Sequence, residues 1–213
     1  MIQEYIQRLL LTAPPMLLAL TVHEAAHAWA ALKMGDPTAK MLGRLTLNPL
    51  KHLDPIGTLM LFFSGLFGWA KPVPVNPRNF RNIKQGEIIV SIAGPGSNLV
   101  LAAIFAVAVR LFSAFGTGLA LTMPGVYKPV LIMMEMGIII NIAMAIFNMV
   151  PIPPLDGSRV LGAVLPPRQS YAFSRVEPYG FIILIVLMYT GVFARLFSPV
   201  VYLFAGIFLG GRI

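Results

Sequence analysis

The chain contains no cysteine, which excludes disulfides, thiolate metal ligands and thiol nucleophiles together. Charge is scarce as well. Asp, Glu, Lys and Arg make up 11% of the 213 residues, whereas soluble domains carry about 25%. Hydrophobic residues supply 57% and mean hydropathy is +0.80. Those values exclude a soluble globular domain. The fold class they leave is an all-α polytopic membrane protein, since its long apolar runs can satisfy their backbone inside lipid as helices. Histidine is limited to His23, His27 and His52, and the acids number eight, so few residues could build a metal site. The net charge of +8 marks cytoplasmic loops and contact with anionic membrane lipids. No nucleic-acid partner is expected. Neither internal repeats nor low-complexity tracts are visible, and 1–213 reads as one membrane-embedded domain.

What is there is a series of apolar runs, predicting about four to five transmembrane helices. The first runs from about Leu9 to Leu32, roughly 24 residues and long enough to cross a core of about 30 Å. A second covers about Glu87–Phe115 and a third about Pro129–Val150. A fourth covers Pro178–Ala194, with Leu196–Leu209 either continuing it or forming a fifth. The C-terminal helices thus fall at about 178–210. Between the first two full spans, Met41–Leu47 alternates as a short β-strand would. Gly57–Ala70, about 14 apolar residues, is too short for a comfortable span. Lys33, Lys40, Arg44 and Lys51 precede it, and Lys71, Arg78, Arg81 and Lys84 follow it. A crossing would put one of these basic loops outside, against the positive-inside bias. A re-entrant dip is therefore expected. Lys71–Pro77 is kept extended by its prolines.

Inside the first run stands His23-Glu24-Ala25-Ala26-His27. Histidines at i and i+4 project from one face of a helix and can reach one metal ion. The glutamate between them can activate a water at that metal, the zinc-metalloprotease reading of this spacing. The alternative of a cleaved signal peptide, with Ala26-His27-Ala28 as its cut site, fails because the apolar run continues beyond it. Ionisable residues within a span are costly unless they have work to do.

A catalytic zinc takes three protein ligands and one open position. His52 lies in a basic, turn-rich loop and reads as an orienting residue there. Asp54 reads as a turn residue, and Glu135 falls near the opposite membrane face. Asp156 follows the proline-broken end of the third span, where a short carboxylate can turn inward. If the first span runs outside to inside, His27 lies about 9 Å from its cytoplasmic end. The third span has the same direction and ends at Asp156. Matching depth makes Asp156 the preferred third ligand.

These motifs in order, His23-Glu24-x-x-His27 and Asn148-x-x-Pro151-x-Pro153-x-x-Asp156-Gly157, resemble those of the site-2 protease family of intramembrane zinc metalloproteases. Gly94-x-x-x-Asn98 resembles that family's middle motif, and Lys71–Pro77 the loop before it in short prokaryotic members. The resemblance covers roughly residues 10–160. It implies a three-helix catalytic core at about 9–157, one catalytic Zn2+ held by His23, His27 and Asp156, and Glu24 as general base. It also implies that Asn148 and Asn98 line the site near the substrate backbone, with an oxyanion or substrate role. The expected activity is hydrolysis of a peptide bond within or near a transmembrane segment, the partner being a single-span membrane protein. Location in a bacterial or archaeal cell membrane follows, with the active site toward the cytoplasm. Met41–Leu47 and Lys71–Pro77 are expected to offer strand edges to the unwound substrate. No PDZ-like module is expected. The alternative function is a membrane metal transporter or channel using the same His and Asp residues.

Overall fold

The computed structural model describes residues 2–64 and 70–210. Among the described residues the chain forms ten α-helices and no sheet: α1 (Ile2–Met34), α2 (Thr38–Met41), α3 (Pro55–Ser64), α4 (Ile83–Phe115), α5 (Thr117–Thr122), α6 (Pro124–Asn148), α7 (Asp156–Val164), α8 (Pro167–Ser174), α9 (Glu177–Tyr189) and α10 (Val192–Leu209). Helices α1, α4, α6 and α10 are long and apolar enough to cross a membrane, and α8 with α9 forms a fifth candidate bent by 61°. The all-α polytopic expectation holds. The stretch 178–209 is two helices, but the break lies at Gly191 in the left-handed conformation (φ +70°), inside the expected fourth run, so that residues 192–194 belong to α10.

The chain divides into two compact units. The first comprises Met1–Ala19, Asn98–Phe147 and Ile185–Ile213. Its core joins Ala102, Ala106 and Val109 of α4 to Ile138 and Ile142 of α6 and Ala205 of α10. Small residues allow this closeness: a Cβ on Gly137 would meet the Phe105 ring at 2.8 Å. Apolar packing alone is weakly directional in lipid, and a buried amide pair supplies the register. Asn98 Nδ2 donates to the Ala19 carbonyl at 3.2 Å and to Asn141 Oδ1 at 2.8 Å. Asn141 Nδ2 in turn donates to the Gly137 carbonyl at 2.7 Å.

The second unit, Leu20–Ser97 and Asn148–Leu184, carries the chemistry. Ala30 and Ala31 of α1 pack against Phe80 and against Val90 of α4. Beyond α1 the chain turns at Gly35 (φ +111°) and buries Asp36. That carboxylate accepts from the Thr38 hydroxyl, from Asn79 Nδ2 at 2.8 Å and from the Asn76 N–H at 2.7 Å. Four backbone and side-chain donors thereby converge on one anion, counting the Thr38 N–H at 3.1 Å, and join the end of α1 to residues 76–79.

Met41–Leu47 is not a strand. Met41 ends α2, Gly43 adopts φ +65°, and the chain continues through turns. Of its apolar side chains Met41 and Leu47 point outward, 80% and 70% exposed, while Leu45 packs against Ala28, Ala39 and Val73. The buried residue is Arg44, whose Nη2 donates to the carbonyls of Lys71 and Pro72. Alternation arises here from a basic residue turned inward, not from a pleat.

Gly57–Ala70 begins as α3, capped by Asp54, whose Oδ1 accepts from the Gly57 N–H at 2.8 Å. Residues 65–69 lie outside the described residues. The two ends of the excursion meet: Leu53 and Ala70 form an antiparallel bridge, and the Lys71 N–H donates to the His52 carbonyl at 2.8 Å. A segment that dips and returns requires adjacent ends, and α3 is too short to cross.

Candidate metal centre

His23 and His27 share one face of α1 as their spacing demands, and both are buried. The ring of His27 is fixed by its other nitrogen. Its Nδ1 lies 2.7 Å from the Val90 carbonyl on α4, which must receive an N–H. The neutral ring therefore presents Nε2 as a bare lone pair. That atom faces His23 Nε2 at 3.0 Å and Asp156 Oδ2 at 3.2 Å. Asp156 Oδ2 also lies 3.2 Å from His23 Nε2 and is buried with no hydrogen-bond partner.

Asp156 is carried to this point by local backbone. Helix α6 stops at Asn148, and the proline-rich turn that follows contains a cis Pro153–Pro154 peptide. Asp156 then opens α7. Two glycines permit the close approaches: a Cβ on Gly157 would lie 2.2 Å from the Met149 carbonyl oxygen, and one on Gly180 of α9 would lie 2.1 Å from that of Pro153.

His27 Nε2 and Asp156 Oδ2 are both acceptors, and at 3.2 Å they repel unless a proton or a cation sits between them. A tetrahedral zinc with bonds of about 2.0–2.1 Å sets its ligand atoms about 3.3 Å apart, so separations of 3.0–3.2 Å suit it. The donor set of two imidazoles and one carboxylate suits it too. The Val90 carbonyl on His27 Nδ1 is the kind of outer partner that orients a ligating histidine. Among the described residues this is the one group of three His or acids able to share an ion.

A cleft surrounds the triad, lined also by Glu24, Pro72, Val73, Val75, Ser91, Asn148 and Arg159. Glu24 Oε2 accepts from the Val73 N–H at 3.1 Å, so the proline-restricted segment at Lys71–Asn76 runs beside it. Asn148 lines the cleft as the motif implied. Asn98 does not: it is fully buried and its amide is engaged with Ala19 and Asn141, which gives it a helix-joining role instead. His52 is buried away from the triad, with Nε2 2.9 Å from the Thr46 carbonyl. Sequence reasoning missed Gly94, where a Cβ would lie 2.5 Å from His27 Nε2, and Arg159. Gly94 stood in a recognised motif, but only packing reveals what it faces.

Peptidase family M50 matches residues 12–191. YwhC of Bacillus subtilis is 42% identical over 183 residues, covering 82% of this chain and 78% of that protein. Rip2 of Mycolicibacterium smegmatis is 30% identical over 209 residues, 94% of this chain and 74% of the relative. Rip2 of Mycobacterium tuberculosis is 28% identical over 194 residues, covering 87% and 69%. The words zinc metalloprotease stand in all three names. No solved structure matches the chain. Relatives and donor geometry agree on Zn2+ as cofactor, and the chain belongs to peptidase family M50, the site-2 protease family, as a membrane metalloprotease.

Proposed function

We propose that this protease hydrolyses a peptide bond within or near the transmembrane segment of single-span membrane proteins. The observation that carries the reading is the set of three mutually facing donor atoms, two of them on α1, a helix long and apolar enough to span, and the third on Asp156 at the start of α7. His23, His27 and Asp156 would hold one Zn2+. Bound there, the ion supplies Lewis acidity, lowering the pKa of water and polarising the scissile carbonyl.

Glu24 moves the protons. The Val73 N–H engages its Oε2 and orients the carboxylate, while Oε1 has no partner among the described residues. Oε1 is the atom that takes the proton of the attacking water and returns it to the leaving amine. The Asn148 side chain, at the cleft wall, donates to the developing oxyanion. A helical substrate hides its carbonyls in its own hydrogen bonds, so it must extend locally. With Met41–Leu47 turned into a loop, Lys71–Asn76 is the edge available for this. The Val75 N–H and the Val73 carbonyl have no partner among the described residues, as strand addition requires.

Most of the Lys and Arg residues, from Lys33 to Lys84 and from Arg159 to Arg175, belong to the unit that holds the cleft. By the positive-inside bias this supports an active site toward the cytoplasm of the cell membrane. Detergent-purified protein should cut a single-span substrate, stop when a chelator strips the zinc, and resume when Zn2+ is restored. Metal flux into liposomes without peptide-bond cleavage would establish a transporter instead.

A further inference from the structure

Among the described residues Arg159 is the one Lys or Arg lining the cleft, and the mechanism above leaves it unused. It follows Asp156 by three residues on α7, and residues three apart share a helix face. Two other arginines of this unit are engaged. Arg44 is buried against the Lys71 and Pro72 carbonyls, and the Arg175 guanidinium lies 5.0 Å from the Tyr171 ring centroid. Arg159 is exposed and has no ion-pair or hydrogen-bond partner among the described residues.

We infer that Arg159 is a specificity-determining residue that draws an acidic side chain of the substrate, close to the scissile bond, against the cleft wall. The inference rests on the protease reading and names the substrate class for it. The charges of the cleft lead there. Glu24 and Asp156 together balance a divalent ion, so Arg159 leaves the cleft with one net positive charge. Its planar fork pairs with a carboxylate through two parallel hydrogen bonds. Membrane proteins ordinarily carry Lys and Arg at the cytoplasmic ends of their spans. Arg159 repels such a flank and admits an acidic one, so a single side chain discriminates in both directions.

The test uses the full-length zinc-loaded protein in detergent and three single-span substrates. They differ only in carrying Asp, Asn or Lys at one position in the flank beside the scissile bond. Wild type should cleave the Asp substrate with a KM about two- to fivefold below that of the Asn substrate, the Lys substrate being poorest, and added salt should shrink the difference. In Arg159→Gln the ratio of kcat/KM between the Asp and Asn substrates falls to about one. In Arg159→Glu the order reverses and the Lys substrate is preferred. Because each result is a ratio within one variant, general damage to folding does not imitate it, and the reversal is a gain that damage cannot supply. Cleavage of all three substrates by wild type with equal KM overturns the inference and leaves the protease reading intact. Survival of the Asp preference in Arg159→Gln also overturns it. Cleavage of none of the three by wild type overturns both.

Discussion

A methyl group on Gly94 would lie 2.5 Å from His27 Nε2 and 2.7 Å from His23 Cε1. The glycine is needed there for room, since α4 must come close enough for the Val90 carbonyl to reach His27 Nδ1. Gly94→Ala should push the imidazoles off their convergence and weaken zinc binding by about 10- to 100-fold. Gly96→Ala, two residues along the same helix with nothing within 4 Å of its new Cβ, should bind zinc as wild type does. Zinc retained after dialysis against graded chelator measures both, and equal retention would contradict the packing argument. These single positions were unevenly legible in the sequence. His23, Glu24 and His27 could be read because their relation is local: the histidines lie one helical turn apart on one face and Glu24 is the next residue along. Asp156 was accessible through topology, since loop charge fixed the depth of two spans. The partners of Asn98 were not accessible. Asn141 and Ala19 are distant in sequence, and a buried amide reads the same in sequence whether it joins helices or faces a substrate.

Between the spans, the element that places the cleft wall is the turn after α1. Asp36 holds Asn76 and Asn79 and thereby the end of Lys71–Asn76, which at its other end is held by Arg44 and His52. Burial opposes charge on Asp36, but hydrogen bonds from Thr38, Asn76 and Asn79 outweigh it and keep its carboxyl below the ordinary range. The unfolded chain therefore takes up a proton at higher pH than the native one. The contribution of Asp36 is complete above about pH 4 and is lost as pH falls through the lower native value. Asp36→Asn should destabilise the protein by about 1.5–3 kcal/mol at neutral pH. Thermal midpoints in detergent should converge with wild type as pH is lowered, and a gap independent of pH would contradict this role. Nothing in the sequence marked Asp36 as the anchor of residues about 40 positions away. Met41–Leu47 misled for a related reason. A period of two signals a strand only when one face is buried by something, and here the left-handed Gly43 turns Arg44 inward instead.

Over the molecule as a whole, hydropathy and charge made most of the architecture readable. Long apolar runs gave the spans, and Lys and Arg on both sides of residues 57–70 led to the expectation of a dip, whose flanks Leu53 and Ala70 form an antiparallel bridge. The C-terminal portion was harder because its breaks are conformational. Gly191 parts α9 from α10, and Gly210 closes α10 at φ +68° with its N–H on the Gly206 carbonyl. What unites the molecule is a hydrolytic centre held inside an apolar chain, and its central claim is that Glu24 moves the protons while His23, His27 and Asp156 hold the metal. The most direct measurement compares cleavage of one single-span substrate by wild type and Glu24→Gln at equal, independently quantified zinc content. Glu24→Gln should bind zinc fully and cut at least about 10²-fold more slowly. Turnover at the wild-type rate by the zinc-loaded variant would contradict the account.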